Sequence, residues 1–214
     1  MTEARGDVCG VLLAGGQSRR MGGGDKSLRT LAGKPLLAHI VERARPQVAA
    51  LVLNANGDPA RFADYDLPVA PDVVEGFAGP LAGVLTGMEW AAENAPDCPW
   101  IATFACDAPF FPRDLVARFL EAVERENAQM ACAASEDRSH PVFGLWPVRL
   151  RHDLRAAMVE EEIRKVDTWT ARYRLATVSF ASEETAEGPV DPFFNTNRPE
   201  DLEAAERLLA AANW

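Results

Sequence analysis

The chain has 214 residues, is 48% hydrophobic and 25% charged, and carries a formal net charge of −10. That length suits one large α/β domain spanning 1–214, and the composition excludes a disordered or fibrous chain. The acidic balance argues against a nucleic-acid partner, which needs a basic face to displace counterions, and no apolar run is long enough for a membrane span.

The start, "MTEARGD", lacks the apolar core of a signal peptide, so a cytoplasmic protein is expected. "VCGVLLA" (Val8 to Ala14) is short and apolar and predicts a buried strand. A glycine-rich loop follows, and Pro35 then opens a helix to Arg45. Ala50 to Asn56 predicts a second strand, and "LPVAPD" a shorter third one ending at Asp72. Pro80 sits at the first turn of a helix over Gly79 to Ala95, whose Leu81, Val84, Leu85 and Met88 form one apolar stripe.

Trp100 to Asp107 predicts the next strand, and Pro112 opens a helix with Val116, Phe119, Leu120 and Val123 on one face. "AQMACAA" and "PVFGLW" predict strands, and Leu150, Leu154, Ala157 and Met158 mark a helix. "RLATVSF" predicts a late strand, Ser182 to Pro189 a polar surface loop, and Pro199 opens the last helix. Strands alternating with helices imply a Rossmann-like, mostly parallel sheet with helices on both faces. Cys9, Cys98, Cys106 and Cys132 form no C-x-x-C pair, so buried free thiols are expected rather than zinc ligands or disulfides.

Ligands of such sheets bind beyond the carboxyl ends of the strands. Those ends carry the glycine loop, Asn54, Asp72 and Asp107. The loop "LLAGGQSRRMGGGDKSL" is a basic island on an acidic chain. It misses the P-loop pattern, because Asp25 stands between Gly24 and Lys26. It misses the dinucleotide fingerprint too, because Ser27 occupies the third glycine place. Gly15 and Gly16 would let backbone N–H groups approach a ligand, while Arg19 and Lys26 supply full charges. A triphosphate whose base and sugar lie over the sheet would use both.

The ordered set "LAGGQSRRMGGGDKSL", "GKPLL", "NAN", "PD", "GPLAG", "CDAPF", "HPVFGLW" and "FNTNRPEDL" resembles the molybdenum cofactor guanylyltransferases (MobA-type), over nearly the whole chain. The resemblance implies a nucleotide-diphospho-sugar transferase-like fold and transfer of GMP from GTP to the phosphate of molybdenum-bearing molybdopterin, with release of pyrophosphate and use of Mg²⁺. It implies that Leu13, Ala14, Gly15 and Gly16 line the nucleotide site, with Lys26 on the triphosphate. Asn54 and Asp72 would then lie near base and ribose, and Asp107 would hold the metal. Asn195 and Asn197 would help the metal or the acceptor, with helix capping the competing role for Asn197.

This chemistry needs no strong base. A phosphate monoester has a second pKa near ~6 and is already mostly dianionic at neutral pH. Anion–anion repulsion is the barrier, and Arg19, Lys26 and Mg²⁺ address it. His140 could face the pterin or brace its strand, while His39 is expected to be structural. Arg164 and Lys165 could meet the acceptor, but this chain reads "EEEIRK" where the family often has a glycine just before the basic pair. The alternatives are a cytidylyltransferase using CTP, whose members usually read LAAG rather than LAGG, a sugar-1-phosphate nucleotidyltransferase, or a non-catalytic carrier of the finished cofactor. A monomer is expected, with passing contacts to cofactor-synthesis proteins or recipient apo-enzymes.

Overall fold

Val8–Leu13 forms β1, apolar on both faces because both are covered by helices. A computed structural model describes it together with the rest of residues 7–14, 25–76, 79–136, 138–186 and 188–211. A two-stranded hairpin of β2 (Thr30–Leu31) and β3 (Lys34–Pro35) precedes α1 (Leu36–Ala44). Then come β4 (Ala50–Asn54), β5 (Val69–Ala70), α2 (Pro80–Asn94), β6 (Trp100–Ala105) and α3 (Leu115–Glu126). The chain continues through β7 (Met130–Ser135), β8 (Arg138–Pro147), α4 (Arg151–Val159), α5 (Val166–Thr170) and β9 (Leu175–Phe180). It ends with β10 (Glu183–Thr185), β11 (Gly188–Val190) and α6 (Pro199–Ala211).

The main sheet runs β5-β4-β1-β6-β8-β7-β9. β8 lies antiparallel to β6 and β7, and the other neighbouring pairs are parallel. Alternation along β1 sends Val8 and Leu12 into a core shared with Leu37, Ile40, Val116 and Phe119 of α1 and α3. Cys9 and Val11 enter the opposite core, with Leu81, Leu85 and Met88 of α2, Leu154 of α4 and Trp169 of α5. The fold is therefore the expected mostly parallel sheet with helices on both faces. A third cluster joins Leu31 and Leu36 to Phe110, Val190, Ala205 and Leu208.

The polar stretch Ser182 to Pro189, expected as a loop, contains most of the β10–β11 hairpin. Its polar composition hid the pairing, and the apolar residue that anchors it, Val190, lies just beyond the polar run. All four cysteines are buried and none is in a disulfide. Burial pushes the Cys9 and Cys132 thiols up to about 12 and the Cys106 thiol higher still.

Candidate functional site

The parallel register lines up the ends of four strands. Leu13 lies opposite Asn54 of β4 on one side and Ala105 of β6 on the other, and Asn54 lies opposite Ala70 of β5. The Ala14 amide donates to the Asn54 carbonyl at 3.0 Å, and the Cys106 amide to the Leu13 carbonyl at 3.3 Å. Leu13, Ala14, Asn54, Asp72 and Asp107 thus share one sheet edge. The chain leaves β1 toward β4 and leaves β6 toward β7, on opposite sides, which is how such sheets open a crevice at their carboxyl edge.

On one side of this edge a carboxylate is clamped by two amides. Asn54 Nδ2 donates to Asp72 Oδ1 at 2.9 Å, and Asn56 Nδ2 donates to Asp72 Oδ2 at 2.8 Å. Asn56 Oδ1 in turn accepts from the Asp72 amide at 2.8 Å. Asn54 is buried and also donates to the Ala70 carbonyl at 3.2 Å. Each Asp72 oxygen keeps lone-pair capacity for a ligand N–H or hydroxyl. Helix α2 presses on this group: a Cβ at Gly83 would stand 2.5 Å from both Asn54 Oδ1 and a Leu13 methyl, so no larger residue fits without displacing them.

On the other side a cation is shared by two oxygens. Lys26 Nζ donates to Asp107 Oδ2 at 2.7 Å and to Asn197 Oδ1 at 2.5 Å. The ion pair is only 18% and 30% exposed on its two side chains. Asp107 is anchored through its carbonyl, which accepts from the Thr196 amide at 2.7 Å and the Thr196 hydroxyl at 3.0 Å.

The loop beyond Asp107 is held from α1 and the turn that follows it. Arg43 Nε donates to the Phe111 carbonyl at 2.6 Å, and Gln47 Nε2 to the Pro112 carbonyl at 3.1 Å. Gln47 Oε1 accepts from the Val116 amide at 3.1 Å. Burial, helped by the nearby Arg113 and opposed by Glu183, lowers the Arg43 pKa to about 10, so the guanidinium stays charged at neutral pH.

Arg19, Gly15 and Gly16 lie outside the described residues. Asn197 joins Lys26, whereas no side-chain hydrogen bond links Asn195 to this group among the described residues. Asn197 gives its side-chain oxygen to the lysine rather than to a helix cap, and the carboxylate of Asp201 accepts from the Arg198 amide at the start of α6. His140 is buried, stacked on Phe193 at 4.5 Å and bonded to Ser135 Oγ at 2.6 Å. His39 Nε2 meets the Leu31 carbonyl at 3.0 Å. Arg164 and Lys165 are exposed in the segment between α4 and α5, and the Arg164 carbonyl lies beside Gly79 at the start of α2. Glu162, just before them, has φ 56°.

Asn56, Thr196, Arg43 and Gln47 join the site without having been expected there from the sequence. Asn56 had a usable signal: it stands two residues after Asn54 in "NAN", at the strand's polar end. Arg43 and Gln47 have the polar side chains of surface residues, and only the tertiary fold buries them.

Among the described residues no three His, Cys, Asp or Glu side chains gather as a metal cluster, and no helix is long and apolar enough to cross a membrane. Asp107 and Asn197 nevertheless offer two hard oxygens already aimed at one cation. That donor set fits a divalent ion which completes its shell with phosphate oxygens and water, as Mg²⁺ does.

Residues 10–176 match the family described as MobA-like NTP transferase domain. The chain is 58% identical over 203 residues to the molybdenum cofactor guanylyltransferase of Bradyrhizobium sp. (strain ORS 278), covering 95% of this chain and 93% of that one. Its fold is similar to that of molybdopterin-guanine dinucleotide biosynthesis protein A from Archaeoglobus fulgidus, with TM-score 0.72 at 20% identity, over 94% of this chain and 98% of that one. It is also similar to a Mycobacterium tuberculosis protein solved in complex with manganese, with TM-score 0.64 at 17% identity, over 94% and 98% of the two chains.

Proposed function

The chain belongs to the family of MobA-like NTP transferase domains, and from that premise we propose that it is a molybdenum cofactor guanylyltransferase. It transfers GMP from GTP to the terminal phosphate of molybdenum-bearing molybdopterin. An acceptor phosphate oxygen bonds to the α-phosphorus of GTP, the bond from that phosphorus to the bridging oxygen breaks, and pyrophosphate leaves. The observation that carries the site assignment is the alignment of two polar groups on one sheet edge, Asn54–Asp72–Asn56 and Lys26–Asp107–Asn197.

The first group suits the nucleoside. Asp72 can accept from N–H donors of guanine or from ribose hydroxyls, and the two asparagines hold its orientation fixed. Leu13 and Ala14 would line the nucleotide, and Gly15 and Gly16, which carry no side chain, would let it come close to the backbone. The second group suits the triphosphate. Lys26, with Arg19, offsets the repulsion between the dianionic acceptor and the triphosphate, and stabilises charge that grows as pyrophosphate departs. Asp107 and Asn197 would hold Mg²⁺, which neutralises phosphate charge when bound; Asn195, two residues before Asn197, would contact the acceptor. No residue need remove a proton, because the attacking oxygen arrives charged.

The protein on this reading is a cytoplasmic monomer that meets cofactor-synthesis proteins or recipient apo-enzymes in passing. Neither the CTP-using relative nor the non-catalytic carrier is favoured. The test is pyrophosphate release with molybdenum-bearing molybdopterin, comparing GTP with CTP. A kcat/KM for GTP well above that for CTP is expected. Equal values would remove the guanine assignment, and no release with either would remove the enzyme.

A further inference from the structure

The ammonium of Lys26 sits against both oxygens assigned to the divalent ion, Asp107 Oδ2 at 2.7 Å and Asn197 Oδ1 at 2.5 Å. The three residues come from segments far apart in sequence, so this contact is made by the fold and not by a local turn. The pair is mostly shielded from solvent, which limits its screening by salt. A divalent cation bound to the same two oxygens would stand beside a positive charge with no other partner among the described residues.

We propose that Lys26 is a resident cation that reserves the metal site until nucleotide arrives. This rests on the metal role proposed for Asp107. A triphosphate carries several negative charges, against one on Asp107, and it competes successfully for the ammonium. Once Lys26 turns to the phosphates, Asp107 and Asn197 are released to a divalent ion, and the same phosphates supply further oxygens. Nucleotide and metal therefore bind with positive coupling, and metal alone binds weakly. The arrangement keeps the carboxylate neutralised at every stage: by lysine before the nucleotide, by metal after it. It also leaves the acceptor without a charged metal site to occupy on its own.

The coupling is tested without turnover, by Mn²⁺ binding to nucleotide-free protein followed through the electron paramagnetic resonance signal of the free ion. Lys26→Met should bind Mn²⁺ about tenfold more tightly than the wild type, a factor usual for coupling between sites. Lys26→Arg keeps the charge and should bind as weakly as the wild type. Asp107→Asn added to Lys26→Met should abolish the gain. Lys26→Ala removes the same charge and replaces the methionine variant should that one fail to fold. If wild type and Lys26→Met bind Mn²⁺ equally, and Asp107→Asn weakens both, Asp107 keeps its metal role and the reservation by Lys26 is wrong. If Asp107→Asn changes no binding in either background, the metal role and the reservation fall together.

Discussion

Thr196 holds the main-chain carbonyl of Asp107 twice, through its amide at 2.7 Å and its hydroxyl at 3.0 Å. The segment that carries Asn197 is thereby fixed to the residue whose side chain shares Lys26 with it. Thr196→Val removes the hydroxyl bond and keeps the amide bond and the shape. It should cost about 1 kcal/mol of stability, the usual worth of one such bond. It should also raise the Mg²⁺ concentration needed for half-maximal turnover. An unchanged Mg²⁺ activation curve would separate Thr196 from the site.

Asp107 and its neighbour Cys106 should behave oppositely. Cys106 is buried in the core shared with α1 and α3, and burial, with the Asp107 charge beside it, holds its thiol protonated. Cys106→Ser places a hydroxyl in that core and should destabilise by about 1–3 kcal/mol while the folded fraction still turns over. Asp107→Asn should melt normally and lose Mg²⁺-dependent transfer. A folded but inactive Cys106→Ser enzyme would reverse the two roles.

Lys26→Ala should reduce turnover about a hundredfold, the effect of losing on the order of 3 kcal/mol of charge stabilisation. Its stability cost should be far smaller. The Lys26–Asp107 pair keeps some solvent contact on both side chains, so the abandoned carboxylate can be hydrated. A drop in melting temperature that accounts for the lost activity would make Lys26 a structural residue.

Glu162 occupies left-handed backbone, φ 56°, three residues beyond α4, with the Ile163 amide returning to the Ala157 carbonyl at 3.0 Å. A non-glycine residue there costs about 1–2 kcal/mol. Glu162→Gly relieves that cost, and the added freedom of the unfolded chain cancels about 0.4–1 kcal/mol of it. The variant should be as stable as the wild type or slightly more so. It also removes a carboxylate close in sequence to Arg164 and Lys165, so the KM for the anionic acceptor should fall. A clear loss in melting temperature would contradict the backbone argument.

His140 should contribute to the acid limb of stability. Burial lowers its pKa below the ordinary 6.5, Arg138 adds to this, and Asp191 opposes it. A histidine harder to protonate when folded favours the native state above its free pKa and weakens it as pH falls below about 6.5. His140→Gln, which cannot titrate, should show a flatter melting temperature between about pH 7 and pH 5. Parallel curves would mean that the histidine does not set this limb.

The sheet was legible because strands covered on both faces leave long apolar runs between turn residues, as in Val8–Leu13. Asn54, Asp72 and Asp107 were legible for a related reason: each is the first polar side chain after such a run or close behind it. The cross-links were not. Nothing in spacing says that Lys26 meets Asn197 rather than Asn195, since the outcome depends on how Thr196 folds back on Asp107. The short β2–β3 hairpin is held by a turn through Ala32 and Gly33, at φ 49° and 78°, and carries too few apolar residues to announce itself. α5 is five residues long, below the length at which helical periodicity shows.

The grip of Arg43 and Gln47 on the carbonyls of Phe111 and Pro112 bears on how the molecule breathes. The same helix is joined at its start to the Lys26 side, where the Leu36 amide donates to the Arg29 carbonyl at 2.8 Å. Swinging the Asp107 loop outward would cost a buried guanidinium its bond to the Phe111 carbonyl, a costly loss. Small fluctuations must therefore carry helix and loop together. In amide exchange the stretch from Leu28 to Leu36 and the stretch from Ala108 to Leu115 would open as one cooperative unit, so the cationic and carboxylate halves of the site keep their spacing even while the protein fluctuates.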